Sequence, residues 1–272
     1  MPPFTSVLCA LDFSDLAPRV LKHAAGIAGA CGARLTVLAA VGGDTHAAEA
    51  TLKGLLGDAL PADAGYLGEP RVRVVRITQG QPADAILEMA REGTDLIVTG
   101  THGKSGVSRW LLGSTSAMVL ELTKTPTLLV PPGNGDIVTL TASEVKLHPG
   151  TVLVPVDLTE HNQAQLELGS QMAALARQPL VVMTVTGGGA SDTDAEQSLR
   201  KRVAGLGPAP ADRVLVRRGA SVAEEIDHVA VAEHSGLVVM GLREPGHGVP
   251  GEIASAVLKT KDAIVLAVPS RT

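Results

Sequence analysis

The chain repeats itself, and this repeat limits the folds that it can adopt. SVLCALDFSDLAPRVLKHAAGIA at 6–28 runs parallel to TVLVPVDLTEHNQAQLELGSQMAALA at 151–176. Both stretches contain an apolar run, an Asp, a hydroxyl residue two positions later and a helical pattern. Three more segments recur in order: TQGQPADAILEMA with RRGASVAEEIDHVA, DLIVTG with GLVVMG, and TPTLLVPP with DAIVLAVPS. The period of roughly 140 residues is domain-sized, whereas solenoid repeats span ~20–50 residues, so the chain is predicted to be a duplicated domain.

The repeat also sets the predicted domain boundaries. Residues 1–132 form the first domain and residues 150–272 the second. Residues 133–149, which lie between the two repeats, are predicted to link them. The length of 272 residues agrees with two domains, since a working prior is about 150 residues per domain.

Short apolar runs alternate with longer helical patterns in the first half. The strand-like runs are SVLCAL, RLTVLAAV, VRVVRIT, DLIVTG and PTLLVPP, and the helical patterns are DLAPRVLKHAAGIAGAC, HAAEATLKGLLGDAL, PADAILEMAREG and TSAMVLELTK. Runs of Val, Leu and Ile without polar alternation are typical of strands buried on both faces. Each half is therefore predicted to be a doubly wound α/β domain with a five-stranded parallel sheet.

Composition excludes several classes of function. Aromatic residues make up 1% of the chain and the net charge is −5, which argues against base stacking and against a basic nucleic-acid face. Cys9 and Cys31 lie in apolar segments without a CxxC spacing, so we predict buried thiols in a reducing compartment and no zinc site. No apolar run reaches the ~18 residues of a membrane span, and the start has no basic region, so a cytoplasmic protein without membrane insertion is expected.

The loop GTHGKSGVSRWLLGST at 100–115 is the strongest candidate site. It follows the apolar run DLIVT and ends where GSTSAMVLELTK opens a helix, whose free N–H groups and dipole favour an anion. Glycines at 100, 103 and 113 would let the backbone approach a ligand closely, or would simply form turns. Ligands of doubly wound sheets bind at the carboxyl ends of the strands, which predicts that Asp12, Val41 and this loop share one rim.

The stretch from 95 to 132 resembles the universal stress protein family, and the likeness extends over both halves. ATP-binding members of that family carry a Gly, two residues, a Gly, nine residues and a Gly followed by Ser or Thr, which Gly100, Gly103, Gly113 and Ser114 match. Asp12 matches the family's Asp at the end of the first strand. The resemblance implies a Rossmann-like domain of the adenine nucleotide alpha-hydrolase type, with ATP, with or without Mg²⁺, as its ligand.

The resemblance also implies a role for each site residue. Asp12 would accept a hydrogen bond from the ribose, or would cap the next helix unless Ser14 did so, and the backbone of Val41 would lie beside the adenine. The phosphate side would be formed by Gly100, Gly103, Gly113, Ser114 and Thr115, with charge added by Lys104 and Arg109. His102 is either a phosphate donor or a solvated loop tip, and Trp110 is expected to pack under the loop.

The second half departs from this pattern. Its loop is three residues shorter, Glu244 stands for the second glycine, and Glu252 stands where the first half has Ser114. Carboxylates repel phosphate, and Pro245 and Pro250 lack the N–H donors that phosphate would use. We therefore expect one ATP per chain, although Asp157 leaves an adenosine-only ligand open.

Three functions compete at this point. The favoured one is a stress-response protein whose nucleotide occupancy is sensed by a protein partner, with no catalytic residues and at most weak ATP hydrolysis. A slow ATPase and a structural module without nucleotide are the alternatives. The family further implies that two domains pair through their last strands, here PTLLVPP and AIVLAVP, about a pseudo-two-fold axis within the chain; a homodimer of whole chains stays open.

Overall fold

The structure, a computed structural model, describes residues 1–62, 64–65, 67–101, 112–133, 135–187, 191–242 and 263–270. The first half contains β1 (Ser6–Leu11), α1 (Ala17–Cys31), β2 (Arg34–Val41), α2 (Thr45–Ala59), β3 (Arg71–Arg76), α3 (Pro82–Arg91), β4 (Leu96–Gly100), α4 (Ser114–Leu122) and β5 (Thr127–Val130). All five predicted strands and four predicted helices are present. Their ends differ from the predicted runs by a few residues, as is usual for helix and strand termini.

The second half repeats this order as far as the structure describes it. After a hairpin of β6 (Val138–Leu140) and β7 (Val145–Leu147) come β8 (Val152–Pro155), α5 (Gln163–Ala176), β9 (Leu180–Thr186), α6 (Asp192–Val203), β10 (Arg213–Arg218), α7 (Val222–Ala232), β11 (Leu237–Leu242) and β12 (Ile264–Pro269). The fold is α/β and doubly wound, as predicted.

The two halves share one ten-stranded sheet in the order β10-β9-β8-β11-β12-β5-β4-β1-β2-β3. All neighbours within a half are parallel, and the halves meet where β12 pairs antiparallel with β5. Pairing through the last strands is therefore confirmed. Its consequence is a continuous sheet rather than two separate ones, because hydrogen bonds cross the junction.

The register at the junction reveals a two-fold relation. Leu128 of β5 pairs with Val98 of β4, and Leu266 of β12 pairs with Val239 of β11, which is the repeat equivalent of Val98. Leu128 and Leu266 are thus equivalent residues, and they face each other directly across the junction. Where a residue lies opposite its own repeat equivalent, an approximate two-fold axis passes between the two.

Helices cover both faces of the sheet. Along β1, Val7 and Cys9 point into a core cluster that contains α1 and α2, while Leu8 and Ala10 point into a cluster with α3 and α4. Both faces of β1 are therefore buried, which explains its unbroken apolar sequence. The α1 face forms one cluster that continues through the hairpin to α5 and α6.

The predicted linker contains folded structure that sequence reasoning did not anticipate. Strands β6 and β7 pair antiparallel, and Ile137, Val138 and Leu147 are buried against α1. Gly26 of α1 makes this approach possible, because a Cβ atom there would lie 2.1 Å from Cγ1 of Val138. At its other end the hairpin reaches the second half, where the Gly236 N–H donates to the Pro149 carbonyl at 2.6 Å.

Candidate functional site

A cavity of about 570 Å³ opens at the carboxyl ends of β1, β2 and β4. The volume lies within the ~300–1,000 Å³ range of small-molecule sites. Its described lining consists of Ala10, Leu11, Asp12, Phe13, Ser14, Leu16, Ala17, Val20, Leu38, Ala40, Val41, Gly42, Gly43, Pro82, Ile86, Thr99, Gly100, Gly113, Ser114, Thr115 and Ser116. The structure thus brings six sequence-predicted site residues to one cavity: Asp12, Val41, Gly100, Gly113, Ser114 and Thr115.

The N-terminus of α4 forms one side of the cavity. Gly113 is its N-cap residue, and no side chain among the described residues caps the helix. Two hydrogen bonds fix this terminus beside β4: the Gly113 N–H donates to the Thr101 carbonyl at 2.7 Å, and the Ser116 hydroxyl donates to the Gly100 carbonyl at 2.6 Å. Uncapped N–H groups in a fixed position, at the positive end of the helix dipole, are suited to an anion.

Asp12 lies at the exposed end of β1 and does not cap the following helix. Its Oδ1 accepts the Ser14 N–H at 3.1 Å in a local turn, and the N-cap position of α1 belongs to Leu16 without any side-chain cap. Neither Asp12 nor Ser14 therefore serves as the N-cap. The carboxylate lines the cavity instead, where it can accept a hydrogen bond from a ligand hydroxyl.

The other end of the cavity, beside β2, is apolar. Leu38, Ala40, Val41 and Ile86 line this part. The Val41 carbonyl already accepts the Ile77 N–H at 2.7 Å. Since a carbonyl oxygen has two lone pairs, this bond leaves Val41 able to accept once more.

Four predicted site residues, His102, Gly103, Lys104 and Arg109, lie outside the described residues, as do Trp110, Glu244, Pro245, Pro250 and Glu252. Sequence reasoning also missed cavity residues. Ser116 follows the Ser-Thr pair of the motif, and Gly42 and Gly43 follow Val41, so proximity along the chain was the available signal. The apolar lining residues Val20 and Ile86 gave no signal, because both match ordinary helix core positions.

The second half differs at two positions that correspond to cavity-lining residues of the first half, Ala10 and Val20. Gln165 of α5 is the repeat equivalent of Val20, and Pro155 is the equivalent of Ala10. The Gln165 Nε2 donates to the Pro155 carbonyl at 2.6 Å and to the Val239 carbonyl at 2.9 Å. A buried carboxamide thus bridges β8 and β11 where the first half has a valine beneath an open cavity.

The proline explains why the glutamine is needed. The Val156 N–H donates to β9, so by strand alternation residue 155 faces β11, and its N–H would bond the Val239 carbonyl. Proline has no N–H. Accordingly β8 and β11 pair over only two residues, compared with four between β1 and β4, and the Gln165 amide replaces the missing donor.

The described residues contain neither a candidate metal cluster nor a candidate membrane span. No group of three or more His, Cys, Asp or Glu side chains there is placed to hold a metal ion. In the same part of the chain, no helix combines the length and apolarity that a membrane crossing needs.

Comparison with known proteins places this geometry in context. The model of the universal stress protein family matches residues 3–131. A universal stress protein of Thermus aquaticus, encoded beside a QAH/OAS sulfhydrylase, is 39% identical over 136 residues, which are 47% of this chain and 98% of the relative. One relative of single-domain length therefore corresponds to about half of this chain.

Solved structures resemble the whole chain. A universal stress protein from Pseudomonas aeruginosa superposes with a TM-score of 0.73 at 20% identity, covering 98% of this chain and 93% of that one. Another from Archaeoglobus fulgidus gives a TM-score of 0.68 at 18% identity, covering 97% and 98%. At these identities the likeness establishes the fold, and it includes both halves.

Proposed function

This chain belongs to the universal stress protein family, and we propose that it is a stress-response protein whose first half binds ATP, with or without Mg²⁺. Occupancy of that site would be read by a protein partner. Residues 1–132 would be the binding domain, residues 133–149 the connection and residues 150–272 a second domain that takes no triphosphate. The nucleotide would contact Asp12, Val41, Gly100, Gly113, Ser114 and Thr115, together with the motif residues His102, Gly103, Lys104 and Arg109.

One observation carries the proposal: the cavity joins an uncapped helix N-terminus to an apolar end. The N–H groups at Ser114 and Thr115 suit phosphate oxygens, and the apolar lining beside Val41 suits a base. Asp12 lies at the end of β1 and lines the same cavity, within which it suits a ribose hydroxyl. A ligand with anionic, sugar and aromatic parts would use all three.

The second half supports a single nucleotide per chain. Gln165, with its bridging carboxamide, stands at the position that the cavity-lining Val20 holds in the first half. The sequence adds Glu252 at the position of Ser114. The negative charge of Glu252 disfavours a phosphate-bearing ligand, and the carboxamide marks a second difference from the first half.

The decisive test is titration calorimetry of the full chain and of Ser114→Glu with ATP, in the presence and absence of Mg²⁺. We expect one site in the natural chain and a much weaker site in the variant. A carboxylate ~4 Å from a phosphate costs on the order of 4 kcal/mol at an effective dielectric of about 20. Ser114 is exposed, so solvent screens part of this cost, and we expect a loss of about tenfold to a thousandfold.

The matched control is Ser143→Glu, which makes the same chemical change at an exposed position of the β6–β7 turn. It should bind ATP as the natural chain does. Circular dichroism must show that both variants remain folded. Two equivalent ATP sites in the natural chain, or unchanged affinity in folded Ser114→Glu, would contradict the proposal.

A further inference from the structure

The ten-stranded sheet ends in two open edges, β3 in the first half and β10 in the second. Both edge strands are rich in arginine, with the sequences RVRVVR and RVLVRR. The registers of β3 on β2 and of β10 on β9 define equivalent positions along the two edges. By that alignment, Arg71 matches Arg213, Arg73 matches Leu215, and Arg76 matches Arg218. Each edge therefore serves as an internal reference for the other.

The β10 edge neutralises its equivalent arginines. Arg213 donates from Nη1 to both carboxylate oxygens of Glu233 at 2.8 Å, and Arg218 donates from Nη2 to Asp192 at 3.0 Å. Leu215 between them packs against the core of the second half. One arginine of β10, the exposed Arg217, has no ion pair among the described residues.

The β3 edge presents its arginines unpaired. Arg71, Arg73 and Arg76 are all exposed, and within the part of the chain that the structure describes none of them forms an ion pair. Arg73 is the equivalent of Leu215, but Leu215 packs against the core at the other edge whereas Arg73 is exposed. The chain has a net charge of −5, so this cationic strip is a local feature and not a reflection of an overall basic protein.

The outward-facing backbone groups of β3 also pair with no other strand in the part of the chain that the structure describes. The Ile77 N–H donates inward to Val41 of β2, and in a strand the hydrogen-bonding direction alternates with each residue. The odd-numbered residues of β3 therefore bond to β2, while Val72, Val74 and Arg76 direct their N–H and C=O groups outward. An added strand can pair with these groups.

We propose that the β3 edge is a docking surface for an extended acidic segment of a partner protein, which adds to the sheet as an eleventh strand. Carboxylates at alternate positions of such a segment share one face with a spacing of about 7 Å, which is also the spacing of Arg71 and Arg73. The same arginines repel the β3 edge of a second copy, so the charge selects against self-association while it favours an acidic partner. This proposal is independent of nucleotide binding.

The test uses fluorescence anisotropy of the full chain with a labelled peptide in which Glu alternates with Val. A peptide with Gln in place of Glu is the ligand control. We expect the Glu peptide to bind, to weaken as salt rises, and to lose about tenfold in affinity with Arg71→Gln/Arg73→Gln. Arg217→Gln, which removes an unpaired arginine from the other edge, should leave binding unchanged.

Backbone pairing is tested separately. Val74→Pro removes an outward N–H without removing a bond to β2, so binding should be lost while the melting temperature shows a folded chain. Should that variant unfold, the natural chain is titrated with peptides N-methylated on alternate residues, since one of the two registers must block strand pairing. Equal binding by both N-methylated registers overturns the proposal.

Three further results would overturn it. They are the absence of binding by the Glu peptide, full binding by Arg71→Gln/Arg73→Gln, and binding of a single-stranded oligonucleotide that depends on these arginines while the Glu peptide fails to compete. The last result would assign the edge to nucleic acid.

Discussion

His23 is the most deeply buried ionisable side chain on α1, and its two ring nitrogens fix its protonation state. Its Nδ1 lies 2.8 Å from the Arg19 carbonyl, so Nδ1 carries the proton. Its Nε2 accepts the Ile137 N–H from the hairpin at 3.3 Å. The neutral ring satisfies both contacts, whereas a second proton on Nε2 would face the Ile137 N–H. Burial is the main reason why the pKa of His23 falls from 6.5 to about 4, against the opposing effects of the hydrogen bond to the Arg19 carbonyl and of nearby Asp136.

This shift predicts that acid weakens the fold. The unfolded chain binds a proton at His23 below pH 6.5, but the folded chain does so only near pH 4. The stability contributed by the neutral His23 ring is therefore complete above pH 6.5 and is lost as the pH falls from 6.5 to 4, at a cost of about 3 kcal/mol. Arg19 and Lys22 also disfavour the charged ring, while Asp136 favours it. Urea unfolding at several pH values measures the decline.

The variant for this test is His23→Leu, which copies Leu168, the equivalent residue of the second half. It should be less stable at pH 7.5, because the Ile137 N–H loses its acceptor, but its stability should depend less steeply on pH between 6.5 and 4. The exposed His46 provides the control, and His46→Gln should keep the natural pH profile. Identical profiles in His23→Leu and the natural chain would show that another group controls the acid response.

Sequence alone predicted that residues with a local signal would line one cavity. Asp12 ends a strand, and Gly113 and Ser114 begin a helix at a fixed distance from Gly100, so spacing was sufficient to predict a shared cavity. Val20 could not be predicted as a lining residue in this way, because its position at the cavity depends on how α1 crosses the sheet. The capping alternative for Asp12 was excluded only by geometry, since Leu16 takes the N-cap position of α1.

At the level of elements, the repeat contains one compensated pair. Ala10 and Val20 in the first half correspond to Pro155 and Gln165 in the second, where the carboxamide replaces a ladder donor that proline lacks. Gly241 belongs to the same arrangement, because a Cβ atom there would lie 2.8 Å from the Gln165 Oε1. The polar side chain in the core is thus explained by a backbone need.

The pair predicts non-additive effects on stability. Gln165→Val leaves the buried Val239 carbonyl and the partly buried Pro155 carbonyl without this donor, and we expect it to cost about 2–3 kcal/mol of unfolding free energy. Adding Pro155→Ala restores an N–H that can reach Val239, so Pro155→Ala/Gln165→Val should regain most of that loss. Chemical unfolding of the four chains completes the cycle. Gln163→Val, at an exposed position of the same helix, is the control, and a double variant as unstable as Gln165→Val would refute the compensation.

The strands and helices of the first half could be predicted because each is long and uniform in pattern. The hairpin could not, because β6 and β7 have three residues each within a segment rich in turn-forming residues. Its position depends on tertiary fit: Val138 fills the space above Gly26, and Ile137 meets His23. A pattern rule reads one segment at a time and cannot detect such complementarity.

On the scale of the whole molecule, the two halves of the chain are arranged like the two subunits of a homodimer. The junction has the symmetry of a homodimer, since Leu128 lies opposite its own equivalent Leu266, flanked by the pairs Thr127 with Ala267 and Leu129 with Val265. Buried residues on both sides of the sheet continue across it. The first half alone would therefore expose an apolar edge strand.

This geometry predicts that a chain ending at residue 150 dimerises through β5. Two copies would pair antiparallel with Leu128 opposite Leu128, because the register that now joins equivalent residues would join identical ones. Light scattering after size exclusion should give twice the mass of the short chain. Circular dichroism must first show that the short chain folds.

Cross-linking locates the pairing. In the short chain, Leu128→Cys would place two thiols directly opposite each other across non-hydrogen-bonded positions about 4.5 Å apart at Cα, within reach of a disulfide. Oxidation should then link two copies, and in the full chain Leu128→Cys/Leu266→Cys should form the same bond internally. Leu129→Cys is the control: in the short chain its partner position is Thr127, so it should not link to itself, and the buried native thiols Cys9 and Cys31 should stay unreacted. A folded short chain that stays monomeric, or that links through position 129 as readily as through 128, would mean that the junction depends on features of the second half that β12 does not share with β5.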